Sequence, residues 1–347
     1  MTRLHTVAVL MCALALPVQA QDTAPADPGT AKAEEKKPFV CFKAVAPVIE
    51  LGHPSRYADD SKNRSDFDEK ANAAVNAALK PIDRFITDLA VVSDIAVQGG
   101  EDATKAADCV VDRIHAWATG DALSKMTTDS ANLSVPSRIG GIAFAHAKVS
   151  TMLKGDPRLP VIDAWLRERM QASMAFFDEK APPRASRNNL RAWAALAAAR
   201  VGLTVKDAAM VTWATESTRL VACEAAADGS LPNEMWRGNL ALHYQIHATG
   251  PLVVTAALLE PTGADLFTAC DKAIPRIVGF VLRALEDEAE VQAVSGKTQK
   301  FGKPEPHEFA WTQAYLSVID DPAVADLARQ FKTMGNSKLG GDQALMW

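Results

Sequence analysis

Apolar residues recur along this chain at the three- and four-residue spacing that lays one stripe down a helix. Ala71, Val75, Ala78, Leu79, Ile82, Ile86 and Leu89 form the first such stripe. Others run through 105–118, 140–153, 160–178, 189–201, 207–226, 239–259, 265–287 and 308–318, so about nine helices are predicted. Glycine and proline fall mostly between the stripes, at Gly120, Pro136, Gly140, Gly155, Pro182-Pro183, Gly202 and Gly229. No segment alternates with the two-residue period of a strand over a useful length. A single all-α domain is the economical expectation, as a bundle, a solenoid or an α/α toroid, and no internal repeat favours the solenoid.

The N-terminus departs from this pattern. Arg3 precedes the apolar run Val7–Leu16, and Val18-Gln19-Ala20 has the small-x-small form read by signal peptidase, so residues 1–20 are predicted to be a removed secretory signal. Pro17 and Gln19 stop the run short of the roughly 20 apolar residues of a membrane span. Residues 21–40 are mostly Pro-, Ala- and charge-rich and read as a disordered linker, leaving 41–347 as the globular domain. Composition agrees: 62 of 347 residues are alanine and only three are tyrosine, a bias toward helix. A net charge of −5 argues against general nucleic-acid binding. Export predicts an oxidising compartment, where Cys41, Cys109, Cys223 and Cys270 allow three disulfide connectivities or buried free thiols. Pairing 41 with 109 and 223 with 270 closes the shorter loops.

Phosphate loops, GxGxxG, HExxH and GxSxG are missing. His243 and His247 share a helix face, but no acid lies between them, so ordinary helix-face histidines outweigh a zinc site. More informative is a cluster of cations in an acidic protein: Arg184, Arg187 and Arg191 around Asn188-Asn189, then Arg237 seven residues before Tyr244. On one continuous helix Arg237 and Tyr244 would share a face about 10 Å apart, suited to a polymeric anion.

Two stretches organise these residues. Arg187-Asn188-Asn189-Leu190-Arg191-Ala192-Trp193 resembles the Arg-Asn-Asn-His-x-x-Trp of the alginate lyases, the family-five polysaccharide lyases. Asp228-Gly229-Ser230-Leu231-Pro232-Asn233-Glu234, Arg237, Ala241-Leu242-His243-Tyr244 and Pro251-Leu252 resemble the same family's DGxLPxE, Arg, ALxY and PL elements. Ser55-Arg56-Tyr57 is similar to its Ser-Lys-Tyr loop over the cleft, and Phe309-Ala310-Trp311 adds weaker support.

The resemblance implies an α/α toroid, no metal or organic cofactor, a periplasmic location and an anionic polysaccharide, alginate or another polyuronate, as partner. Neither nucleic acid nor membrane is expected, and a monomer is. It implies β-elimination, in which the C5 proton leaves, the C4–O bond breaks and an unsaturated sugar remains. Asn189 and Arg237 would neutralise the sugar carboxylate and hold the enolate charge. Tyr244 would protonate the leaving oxygen and, where proton and leaving group share a side, also act as base, with Arg237 favouring its phenolate. Arg56, Tyr57, Arg187, Trp193, His243 and His247 would bind substrate, with Lys297 and Lys300 ranked lower. Leu190 stands where the family has histidine, and Gln245-Ile246 where it usually has His-Asn. Two readings follow: a lyase in which Tyr244 acts alone or with His243 or His247, or an inactive polyuronate-binding relative.

Overall fold

In a computed structural model, residues 38–347 are described; the predicted signal and all but the end of the linker lie outside them. Phe39–Trp347 form a single compact unit. Its helices are α1 (Glu69–Gln98), α2 (Ala103–Thr119), α3 (Asp129–Ser134), α4 (Pro136–Ser150), α5 (Arg158–Glu179), α6 (Asn189–Val205) and α7 (Ala208–Ala222). They continue as α8 (Pro232–Met235), α9 (Ala241–Leu259), α10 (Ala269–Glu286), α11 (Ala289–Ser295), α12 (Trp311–Leu316) and α13 (Pro322–Arg329).

Each predicted stripe is a helix, and the order of packing gives the toroid. The chain runs as successive packed pairs, α1/α2, α4/α5, α6/α7 and α9/α10, while α1, α4, α6, α9 and α12 pack in turn on one another. These last helices form the inner wall, and α2, α5, α7 and α10 the outer layer. Burial explains the division: α4, α6 and α9 carry apolar or small residues around nearly their whole circumference, whereas the outer helices keep one solvated side. Their alanines, such as Ala192, Ala194, Ala195, Ala197, Ala198 and Ala199 of α6, allow close approach on all sides.

The helices missed in the sequence, α3, α8, α11 and α13, have four to eight residues, too short to show a period. Two tiny sheets also appear. In the lead-in, the strand Glu50–Leu51 pairs in parallel with Lys125–Met126 after α2, Glu50 opposite Lys125 and Leu51 opposite Met126. Near the C-terminus, Gly335–Asn336 pairs antiparallel with Gly341–Asp342. Of the three connectivities the structure selects Cys41–Cys109 and Cys223–Cys270. The first ties the lead-in to α2, and the second ties the end of α7 to the start of α10.

Replacing Cys223 and Cys270 together by serine releases a 47-residue closure and is expected to cost about 2–5 kcal/mol of stability, read from the midpoint of urea unfolding.

Candidate active site

The site is built where α6 and α9 begin. Asn188 caps α6, its side-chain oxygen accepting the Leu190 N–H at 3.0 Å. Asn189 is 1% exposed and faces Glu234, itself fully buried at the end of the Leu-Pro-Asn-Glu turn. Its backbone N–H donates to Glu234 Oε1 at 2.7 Å and its amide Nδ2 to Oε2 at 2.9 Å. Burial pushes the Glu234 carboxyl up to about 7, opposed by these two hydrogen bonds and by the nearby Arg237 charge.

Arg237 and Tyr244 do not lie on one continuous helix, so the shared face that one helix would give them does not form. A 3-10 turn, Gly238–Leu240, intervenes, and Gly238 adopts φ +59°, where a Cβ would come within 2.6 Å of Asn63 Nδ2. The turn folds the guanidinium back over the phenol, with its carbon 3.5 Å from the centroid of the Tyr244 ring and 4.9 Å from that of Tyr57. Arg237 Nε and Nη2 both donate to the Arg64 carbonyl, Nε at 3.2 Å. The hydroxyls of Tyr57 and Tyr244 are hydrogen-bonded to each other. The polar loop 55–67 thus lies over the start of α9, pinned at its two ends by Tyr57 and Arg64, with Tyr57 stacked on Phe67 at 5.2 Å.

The electrostatics reverse one expectation. Arg237 does favour the Tyr244 phenolate, but burial outweighs it, and Tyr57 adds to the upward push, so the phenol titrates well above its ordinary range. Tyr244 is therefore held protonated.

One turn along α9, the His247 ring lies 6.3 Å from that of Tyr244, 6.1 Å from that of His243 and 5.3 Å from that of Trp193. Burial and the surrounding cations Lys338, Arg138 and Arg237, with His243, hold His247 well below its ordinary value, so it is a neutral imidazole. His243 is lowered by burial and then by the charges of Arg237, His307 and Arg56, and stands 3.8 Å from the Glu308 carboxylate. A cavity of about 820 Å³ opens beside these histidines, bounded by Trp193, Trp311, Asn336 and Lys338.

The other arginines divide. Arg56 lies at the rim, hydrogen-bonded to Asn72 at 3.2 Å and close enough for its charge to depress His243. Arg187, 50% exposed, is instead engaged by Glu224, Arg184 stacks on Trp236, and Arg191 pairs with Asp178 at 2.7 Å. That three-arginine cluster does not converge on the phenol, because Arg184 and Arg187, ahead of α6, are held by Trp236 and Glu224, and Arg191 of α6 by Asp178. Lys297 and Lys300 belong to a loop that Gln299 ties down, accepting the Leu242 N–H at 2.9 Å and so capping α9. Leu190 packs against the apolar core and offers no polar atom from its side chain.

The sequence profile of the alginate lyases matches residues 20–291. The chain belongs to the alginate lyase family. A polysaccharide lyase of Stenotrophomonas maltophilia is 30% identical over 293 residues, covering 81% of this chain and 85% of that one. An alginate lyase of Pseudomonas syringae pv. tomato is 26% identical over 306 residues, covering 83% and 80%. Among solved structures, alginate lyase A1-III of Sphingomonas species A1 superposes with a TM-score of 0.73 at 20% identity, covering 89% of this chain and 87% of its own. A histidine-to-alanine variant of that enzyme in complex with a tetrasaccharide gives 0.75 at 21%, covering 89% and 86%.

Sequence reasoning on this lyase missed the partnership of Glu234 with Asn189 and the arrival of Lys338 in the cavity. Glu234 was visible within the DGxLPxE element, but its partner lies 45 residues away. For Lys338 the only local signal was the pair of glycines that follows shortly after it, Gly340-Gly341.

Because Glu234 is raised from 4.5 to about 7, the folded protein keeps a proton that the unfolded chain releases. The resulting stability is fully present below about pH 4.5 and is lost as pH rises through 7, by up to about 3 kcal/mol. Urea unfolding across this range is expected to show a slope in the native protein that Glu234→Gln lacks.

Proposed function

We propose that this family member is a periplasmic lyase that cleaves uronic-acid polymers by β-elimination. The observation that carries the proposal is the convergence of a protonated Tyr244, a buried Arg237 and a neutral His247 at one end of the inner wall. Secretion is supported by the signal-like N-terminus and by two disulfides, which persist in oxidising compartments.

A uronate C5 proton is barely acidic while the adjacent carboxylate is charged, so the first requirement is neutralisation. Arg237 provides it, with Arg56 at the rim and the amide of Asn189 behind, oriented by Glu234. The base takes the C5 proton, its electron pair becomes the C4=C5 bond, the C4–O bond breaks, and Tyr244 gives its proton to the leaving oxygen. Tyr244 suits that last step because burial keeps the phenol protonated. His247 suits the first because burial, reinforced by the cations around it, keeps the imidazole neutral. For the polymer to enter, the hydroxyl contact between Tyr57 and Tyr244 must break and loop 55–67 must lift.

Tyr244 and His247 project from the same side of α9, so acid and base approach the sugar from one face. That arrangement suits syn elimination, in which the C5 proton and the O4 leaving group lie on the same side, as in mannuronate and glucuronate. Guluronate presents them on opposite sides and would need a base on the facing wall. Leu190, which stands where the family has histidine, cannot take a proton. The alternative, a polyuronate-binding protein without turnover, is favoured by the same leucine.

Mature protein incubated with polymannuronate, polyguluronate, polyglucuronate and hyaluronan distinguishes these readings by ultraviolet absorbance of the unsaturated uronate. A rise with polymannuronate or a glucuronate polymer and none with polyguluronate is expected; salt-sensitive binding with a flat trace would establish the binding protein instead. In the same assay, Tyr244→Phe is expected to lower kcat about 100- to 10,000-fold with an unchanged unfolding midpoint. Leu190→His is expected to add cleavage of polyguluronate.

A further inference from the structure

The cavity beside the histidines departs from what a polymer charged at every unit would require. Histidines aside, four charged side chains line it, and three of them are acids: Asp94, Glu308 and Asp342, against Lys338. Asp94 is neutralised by Lys148 of α4. Asp342 caps the last 3-10 turn, its Oδ1 accepting the Ala344 N–H at 3.1 Å. Glu308 has no cation of its own: among the described residues it forms no ion pair with a lysine or an arginine. The titratable group in range is His243, with Nδ1 3.8 Å from Oε1, and burial followed by the charges of Arg237, His307 and Arg56 removes the proton from that imidazole.

The carboxylate is also fixed in place. It ends the 3-10 turn Pro306–Glu308, where its Oε2 accepts the Glu305 N–H at 3.0 Å. Asn336 of the C-terminal hairpin donates to the His307 carbonyl at 2.9 Å, and the chain beyond the turn is anchored by the buried Phe309 and Trp311. The Glu308 side chain is 15% exposed, so a polymer filling the cavity would replace most of its remaining water. His243 links it to the phenol, its ring lying 5.0 Å from that of Tyr244, which sets Glu308 one side chain away from the Arg237–Tyr244 cluster. The neighbouring wall is uncharged, with Ile246, Gly250 and Trp311, and the buried Trp311 indole N–H has no acceptor among the described residues. An anionic acceptor and an unpaired donor suit the hydroxyl and amide groups of an uncharged sugar, whereas a second carboxylate there would meet a like charge away from water.

We propose that Glu308 is a specificity residue that holds a neutral sugar in the cavity, next to the uronate undergoing elimination, so that the preferred substrate alternates a uronate with an uncharged sugar. The proposal rests on the lyase reading above and narrows its substrate class. Glu308 takes no proton from carbon and gives none to the leaving oxygen. It accepts hydroxyl or amide hydrogens from the neighbouring unit and repels a carboxylate in the same place.

Polyglucuronate and hyaluronan supply the test, since both present a glucuronate cleaved at O4 and differ in the adjoining unit, glucuronate in the first and N-acetylglucosamine in the second. Native kcat/KM is expected to be at least about tenfold higher on hyaluronan. Glu308→Gln, which keeps an oxygen for the Glu305 N–H, is expected to raise kcat/KM on polyglucuronate about tenfold and to lower it on hyaluronan about two- to threefold. Opposite signs on the two polymers are the signature, because a structural defect would move both together. A native preference for polyglucuronate or polymannuronate, or a variant that shifts polyglucuronate and hyaluronan by the same factor, overturns the proposal. Calorimetric binding of the two polymers to the Tyr244→Phe protein, with and without Glu308→Gln, gives the answer even without turnover: tighter polyglucuronate binding in the double variant bears the proposal out. If both proteins bind polyglucuronate equally, the Glu308 assignment falls alone. If the Tyr244→Phe protein binds neither of these polymers, nor polymannuronate or polyguluronate, the polyuronate reading fails and the assignment falls with it.

Discussion

A buried guanidinium without a carboxylate in contact is expensive, and the organisation of this site follows from how Arg237 is accommodated. Its N–H groups go to one backbone carbonyl, that of Arg64, and its flat face goes to the rings of Tyr244 and Tyr57. Those partners come from segments more than 170 residues apart in sequence. Satisfying one side chain therefore fixes the covering loop over the start of α9 and places the two phenols in contact. The turn at Gly238 makes the geometry possible, since a side chain there would collide with Asn63 of the same loop.

The charge of Arg237 also shapes what its neighbours can do. Together with Lys338, Arg138 and Arg56 it makes one region of an acidic protein locally positive. Imidazoles there lose their protons, because a positive charge is costly away from water and more so beside several others. The phenol responds differently: Arg237 would ionise it, but burial penalises the phenolate more strongly, and the proton stays. A protonated phenol and a neutral imidazole thus coexist one helical turn apart, kept in opposite protonation states by the same surroundings.

Below this layer lies a buried carboxyl. Glu234 accepts from both the backbone and the amide of Asn189, joining the first turn of α6 to the turn before α9. The disulfide Cys223–Cys270 crosses behind the same region, linking α7 to α10. The inner wall is in this way braced beneath the Arg237–Tyr244 contact, while the loop above it is attached by only a few polar contacts.

The amino-acid sequence by itself determined the helices, since a stripe of apolar residues is a local property that any amphipathic helix must show. It also determined the family, because the Asn-Asn and DGxLPxE elements are contiguous, and it drew attention to Arg237, Tyr244 and His247. Helices of four to eight residues and two-residue strands escaped because they are shorter than the periods that would reveal them. Only the tertiary structure decided that Arg187 turns to Glu224, that Arg237 reaches Tyr244 across a 3-10 turn, and that burial outweighs a neighbouring cation at the phenol. Lys338 is the plainest case. Its place in the cavity depends on a hairpin seated on Gly141, almost 200 residues earlier, and on charges drawn from four separate elements. Periodicity and motif spacing are written within short stretches of chain, whereas proximity, desolvation and the balance of charges exist only once distant stretches have packed together.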